Sequence, residues 1–138
     1  MELLTKEIRE KFRSHPCGCQ DGKYGEAEIL AKYFLPCTRW TWMITEAEEM
    51  PNGDFYLYGY VLSGLDVDFD EWGGVMLSEL EELSAPRPFD CLGVERDIHM
   101  KKGCTVNEML KEMGRDPLVR HSYSMDYPEE MDEDESEV

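Results

Sequence analysis

The chain is predicted to form one α+β domain, an antiparallel β-sheet with short packing helices, followed by an acidic C-terminal tail, and three observations lead there. Two segments with period-2 alternation, Trp40–Ile44 and Phe55–Leu62, flank a turn cluster. Short stretches of helical character stand apart from them, two of them opening on capping-box signals. From Ser122 onward there are eight acidic residues and no Lys or Arg, and too little apolar content to support packing. At 138 residues the sequence is one domain long, so the reading is a folded domain over residues 1–121 and an acidic, flexible tail over residues 122–138.

In chain order, Leu4, Ile8 and Phe12 recur at helical spacing among charged residues, which predicts an amphipathic helix from about Thr5 to Ser14. Gly18, Gly22 and Gly25 then punctuate a loop in which Gln20-Asp21-Gly22-Lys23 has turn chemistry. Ala27 to Leu35 reads as strand, ended by Pro36. In the next strand Trp40, Trp42 and Ile44 share one face and Arg39, Thr41 and Met43 the other. Beyond Pro51-Asn52-Gly53-Asp54, Phe55, Leu57 and Val61 share a face opposite Tyr56, Tyr58 and Tyr60, so the two strands propose an antiparallel hairpin. Ser63 to Glu71 is a connection rich in Gly and Asp, and Gly73–Leu77 is a short strand leading into Ser78-Glu79-Leu80-Glu81, read as a capping box. Pro86 and Pro88 keep that helix short. Val94–Met100 is a last strand, and Thr105-Val106-Asn107-Glu108 opens a helix that Gly114 closes.

Charge limits the function classes. The chain holds 31 Asp and Glu against 14 Lys and Arg, a formal net charge of −17, and the acidic excess persists when the tail is set aside. Such a field repels nucleic acid and anionic membrane and favours surfaces built to hold phosphate. No basic start precedes an apolar run and no stretch has membrane-spanning length, so a soluble, cytoplasmic protein is expected. Five cysteines, Cys17, Cys19, Cys37, Cys91 and Cys104, are read as free thiols. Cys17-Gly18-Cys19 beside His15 invites a zinc reading, but its spacing is tighter than structural zinc pairs use and no second pair follows, so neither metal nor cofactor is expected. His15, His99 and His121 lie far apart in unlike contexts, and a structural role is expected of His99.

Two features suggest a recognition surface. Tyr56, Tyr58 and Tyr60 place phenols on one sheet face, where they either anchor a partner or form a second core layer under a helix. Base stacking on such a face needs surrounding Lys and Arg, whereas the neighbours in sequence are Asp54, Asp66, Asp68, Asp70 and Glu71.

Gln20-Asp21-Gly22-Lys23, Ala31-Lys32-Tyr33-Phe34, Trp40-Thr41-Trp42 with Ile44-Thr45-Glu46, Gly59-Tyr60, Leu77-Ser78-Glu79-Leu80 and Gly93-Val94-Glu95-Arg96-Asp97 occur in an order that resembles domain of unknown function 2958, from Leu3 to about Leu110. The resemblance implies a setting among small proteins of bacterial plasmids, conjugative elements and phages, with no established reaction. It also suggests that Gln20, Asp21, Lys23, Lys32, Glu46, Glu95, Arg96 and Asp97 line one site with Trp40 or Trp42 as a wall. An enzyme reading makes Glu46 and Asp97 a carboxylate pair with Lys32 or Arg96 holding an anionic substrate; no nucleophile, base and orienter set supports it. Cys17-Gly18-Cys19 and the acidic tail look particular to this member.

Charge and implied setting together give the expected function. The protein is read as a non-catalytic, acidic mobile-element protein that binds the basic surface of a host nucleic-acid-targeting nuclease, a CRISPR effector or restriction enzyme, with carboxylates in place of phosphates. The expected contacts are Asp66, Asp68, Asp70 and Glu71, then Glu79, Glu81 and Glu82, anchored by Tyr56, Tyr58 and Tyr60. The alternatives are an accessory protein of plasmid replication or transfer, and a small enzyme or zinc-binding factor.

Overall fold

The computed structural model describes residues 1–119. The proposed boundary after residue 121, the acidic tail and His121 lie outside the described residues. Within them, α1 (Lys6–Ser14), β1 (Ala31–Phe34), β2 (Thr41–Glu49), β3 (Phe55–Leu62), β4 (Glu71–Met76), α2 (Leu77–Glu82), β5 (Glu95–Arg96) and α3 (Val106–Glu112) follow one another along the chain. The strands form one sheet in the order β4-β3-β2-β1-β5, every pairing antiparallel, so the fold is α+β.

The alternation that marks β2 and β3 is used as an alternation should be. Trp42, Ile44, Phe55 and Leu57 enter the larger core, closed by Ile8 and Phe12 of α1 and by Leu77 and Leu80 of α2. The Phe12 and Phe55 rings meet at 5.5 Å between centroids. Buried at the centre, Tyr33 donates its hydroxyl to the Leu3 carbonyl at 2.7 Å, which ties the N-terminal segment to β1. On the opposite face Met43, Tyr60 and Leu62 pack with Ile29 under Val106, Met109 and Leu110 of α3.

A register shift between Ile44 and Glu46 inserts Thr45 into β2 as an irregularity, after which Glu46 stands opposite Tyr58. Beside it, Gly59 faces Ile44, and a Cβ there would strike the Met43 carbonyl, so glycine is required by close backbone approach.

Local signals hold for α1, where the Thr5 hydroxyl accepts from Ile8 N at 3.1 Å, and for α3, whose Thr105–Glu108 box forms in both directions. Two expectations are corrected. Ser78 does not cap α2: Met76 takes the cap position, so the helix starts two residues earlier than a Ser78 cap would set, the Glu79 carboxylate accepts from Met76 N, and Ser78 gives its N–H and hydroxyl to Asp54, a residue of the preceding hairpin turn. The strand expected over Val94–Met100 is only Glu95–Arg96, because the Asp97 side chain accepts from His99 N and turns the chain away. Ala27–Leu35 likewise contributes only four residues to the sheet, although Glu28 bridges to Thr105. Among the described residues no helix is long and apolar enough to cross a membrane.

Candidate functional site

The loop over residues 16–25 is fixed to the sheet by two buried side chains. Glu46, 4 % exposed, accepts from Gly18 N at 2.8 Å through one carboxylate oxygen and from Gln20 N at 3.0 Å through the other. Gln20 donates to the Glu28 and Thr45 carbonyls and accepts from Glu28 N at 2.7 Å, stitching the loop to both neighbouring segments. Backbone groups that a loop would otherwise leave to water are thereby satisfied inside the protein.

The far end of this loop carries Tyr24 in the left-handed region at φ +53°, an uncommon conformation for a tyrosine. Gly25 follows with no room for a Cβ, since the Asn107 amide of α3 fills that space. The Tyr24 ring lies 5.9 Å from the ring of Trp72 on β4. Trp72 is also stacked with Tyr58 at 6.1 Å and meets Tyr60 edge-on at 5.4 Å. Between loop and sheet opens a cleft of about 180 Å³ whose lining includes Tyr24, Tyr58, Trp72, Thr45, Asp21 and Glu46, with no Lys or Arg. Burial, assisted by the Glu46 charge, pushes the Tyr58 phenol above its ordinary value. Trp72 Nε1 is a buried donor without a hydrogen-bond partner among the described residues.

A second loop, residues 63–70, is held by Asp70. Its carboxylate side chain is 2 % exposed and binds Arg39 through both oxygens, Arg115 at 3.0 Å and Ser63 N at 2.7 Å. Burial alone raises its pKa, but the Arg39, Ser63 and Arg115 hydrogen bonds outweigh that and hold the carboxyl below the usual Asp range. Arg39 also donates to the Ser63 carbonyl. Beyond this base the loop turns its apolar side chains outward: Leu65 is 76 %, Val67 48 % and Phe69 61 % exposed. Asp66, Asp68 and Glu71 alternate with them, exposed and without an ion-pair partner among the described residues.

The residues expected to form one site are distributed over several. Gln20 and Glu46 build the first loop, with Asp21 in the cleft wall and Lys23 exposed beyond it. Lys32 pairs with Asp97 at 3.2 Å where β1 meets β5. Arg96 donates to the Glu2 carbonyl, and Glu95 is half-buried next to it. Trp40 and Trp42 stack at 5.9 Å, Trp42 within the larger core on the face opposite Glu46. Glu46 and Asp97 are therefore not a pair; each is satisfied by its own partners and they line different depressions. The physical reason for the Trp42–Glu46 separation is the irregularity at Thr45: strict alternation would place Trp42, Ile44 and Glu46 on one face, and the register shift turns Glu46 to the other, opposite Tyr58.

The expected partner contacts divide too. Asp70 is a buried staple rather than a surface charge, and Tyr60, 9 % exposed, belongs to the core under α3. Tyr56 and Tyr58 are half-buried; Asp66, Asp68, Glu71, Glu79, Glu81 and Glu82 are exposed. The thiols of Cys17 and Cys19 are pushed up by burial and then by the Glu46 charge, which keeps them in the thiol form. Among the described residues no three His, Cys, Asp or Glu side chains converge to hold a metal ion. Sequence reasoning missed Tyr24 and Trp72: one sits in a glycine-punctuated loop, the other at a strand start that lacks alternation.

The family Protein of unknown function (DUF2958) matches residues 3–116, nearly all of the described fold. The chain belongs to this family. No curated protein and no solved structure matches it. In this DUF2958 member, Gln20, Glu46 and Gly59, three residues of the motifs that carry the resemblance, shape the loop and strand around the cleft.

Proposed function

We propose that this protein is a non-catalytic binding protein of a mobile genetic element that docks on a basic surface of a host nucleic-acid-targeting nuclease, of the CRISPR or restriction type, and inhibits it. The observation that carries the reading is the 63–70 loop, a segment clamped at its base with Leu65, Val67 and Phe69 facing outward between carboxylates that have no ion-pair partner among the described residues. Apolar side chains left exposed together in one loop are unusual on a monomer, and each contributes on the order of 1.5–3 kcal/mol when fully buried against a partner. Pre-ordering by Asp70 lowers the entropic cost of docking. The acids around them select a Lys- and Arg-rich partner and speed its approach, while their charge disfavours direct nucleic-acid binding.

The test is DNA cleavage by a panel of guide-loaded CRISPR nucleases and restriction enzymes, with matched acidic proteins as controls. Dose-dependent protection by this protein alone, weakening as salt is raised, is the expected result. Absence of protection throughout the panel, with co-purification of plasmid replication or transfer proteins, would favour the accessory role instead.

A further inference from the structure

The cleft beneath Tyr24 is built from other residues than the 63–70 loop. Its lining brings the aromatic residues Tyr24, Tyr58 and Trp72 together with the acidic residues Asp21 and Glu46, and includes no Lys or Arg. At about 180 Å³ it lies below the ~300–1,000 Å³ of sites for whole small-molecule ligands, a size suited to one side-chain head. Rings attract a cation over their faces, and a carboxylate nearby supplies the matching charge. Glu46 is already bound to two backbone N–H groups, yet an ionised carboxylate has about four acceptor positions, so it retains capacity for a further donor. Tyr24 is held in a left-handed conformation with its ring toward Trp72, with Gly25 locked behind it against Asn107. An uncommon backbone conformation that closes a pocket wall is a feature to be expected where a ligand is clamped.

We infer that the cleft between Tyr24, Tyr58 and Trp72 is a receptor site for an organic cation of the guanidinium class, with Asp21 and Glu46 as its counter-charges. The planar guanidinium stacks on rings and presents several donors to carboxylates at once, which suits these walls better than a compact ammonium. The same group occurs in a free small cation or in an arginine side chain of a peptide.

This inference is independent of the nuclease reading, because small molecules test it on the full chain without any partner protein. The indole N–H resonances of the three tryptophans are followed by NMR during titration with methylguanidinium, N-acetyl-arginine amide, a short arginine peptide and the neutral isostere N-acetyl-citrulline amide. A saturable shift of the Trp72 resonance by the guanidinium compounds is expected, with a midpoint on the order of 1 mM for a single cation held by rings and carboxylate. Citrulline should leave it unmoved. Binding at least about tenfold tighter to the peptide than to methylguanidinium identifies a protein side chain as the natural source, and equal binding identifies a small cation; either supports the site. Tyr24→Asn, which keeps a residue tolerant of positive φ and removes the ring, should weaken binding about tenfold, and Asp21→Asn should weaken it less. No Trp72 shift at about 50 mM, an equal response to citrulline, or unchanged affinity in Tyr24→Asn with Asp21→Asn would overturn the inference.

Discussion

Two loops, residues 16–25 and 63–70, are each held by a buried carboxylate, and they use it in opposite ways. Glu46 holds its loop through backbone N–H groups alone, drawing Tyr24 down onto Trp72 to close a cleft. Asp70 holds its loop through two guanidinium groups and an N–H, and the chain above it presents Leu65, Val67 and Phe69 to solvent. In both places the acid that fixes shape is buried, and other acids stand exposed beside it, Asp21 near Glu46 and Asp66 and Asp68 near Asp70. Net charge therefore says little about which carboxylates a partner meets.

Breaking the base of each loop should separate these roles. Asp70→Asn leaves the partly exposed Arg39 and Arg115 without their shared counter-charge, and a loss of about 2 kcal/mol in denaturant unfolding is expected, as for weakening charge-assisted hydrogen bonds to a buried acceptor. Glu46→Gln keeps one acceptor but cannot take both Gly18 N and Gln20 N, so about 2 kcal/mol should be lost, and hydrogen exchange should accelerate at those two amides specifically. An equal loss of protection across the whole sheet would show that the loop is not an independent unit.

Acid titration sharpens the contrast. The folded pKa values of Asp70 and Asp97 lie below their ordinary value, so the stability they contribute is fully present above the usual Asp pKa of about 3.9 and is lost as pH falls through their lower folded values. Wild type should hold its melting temperature down to about pH 5 and lose it steeply below pH 4, while Asp70→Asn should show a shallower acid limb. At the other end of the scale, Lys32→Met removes a partly exposed pair with Asp97 and is expected to cost less than about 1 kcal/mol.

How much of this could be read from sequence depends on the range of the interactions. The β2–β3 hairpin and the Thr105–Glu108 cap were legible because alternation and capping are written within a few residues. Ser78 misled because its partner, Asp54, comes from another segment across the sheet. Asp70 is indistinguishable by pattern from Asp66 and Asp68, since what buries it is Arg39 from before β2 and Arg115 from beyond α3. The cleft was legible only in part. Tyr58 and Glu46 stood out in their strands, but that Tyr24 and Trp72 would meet them follows from the β4 pairing of Tyr60 with Trp72 and from the loop anchored by Gln20.

The exposed tip of the second loop gives the most direct test. Leu65→Ser, Val67→Ser and Phe69→Ser together touch no core cluster and should change folding stability by no more than about 0.5 kcal/mol per site. The decisive measurement is the cleavage-protection titration against the nuclease panel with wild type and this triple variant side by side. The account predicts that wild type protects DNA from at least one nuclease and that the folded variant needs about 100-fold more protein to do so. Protection from none of the panel, or equal protection by both proteins, would contradict it.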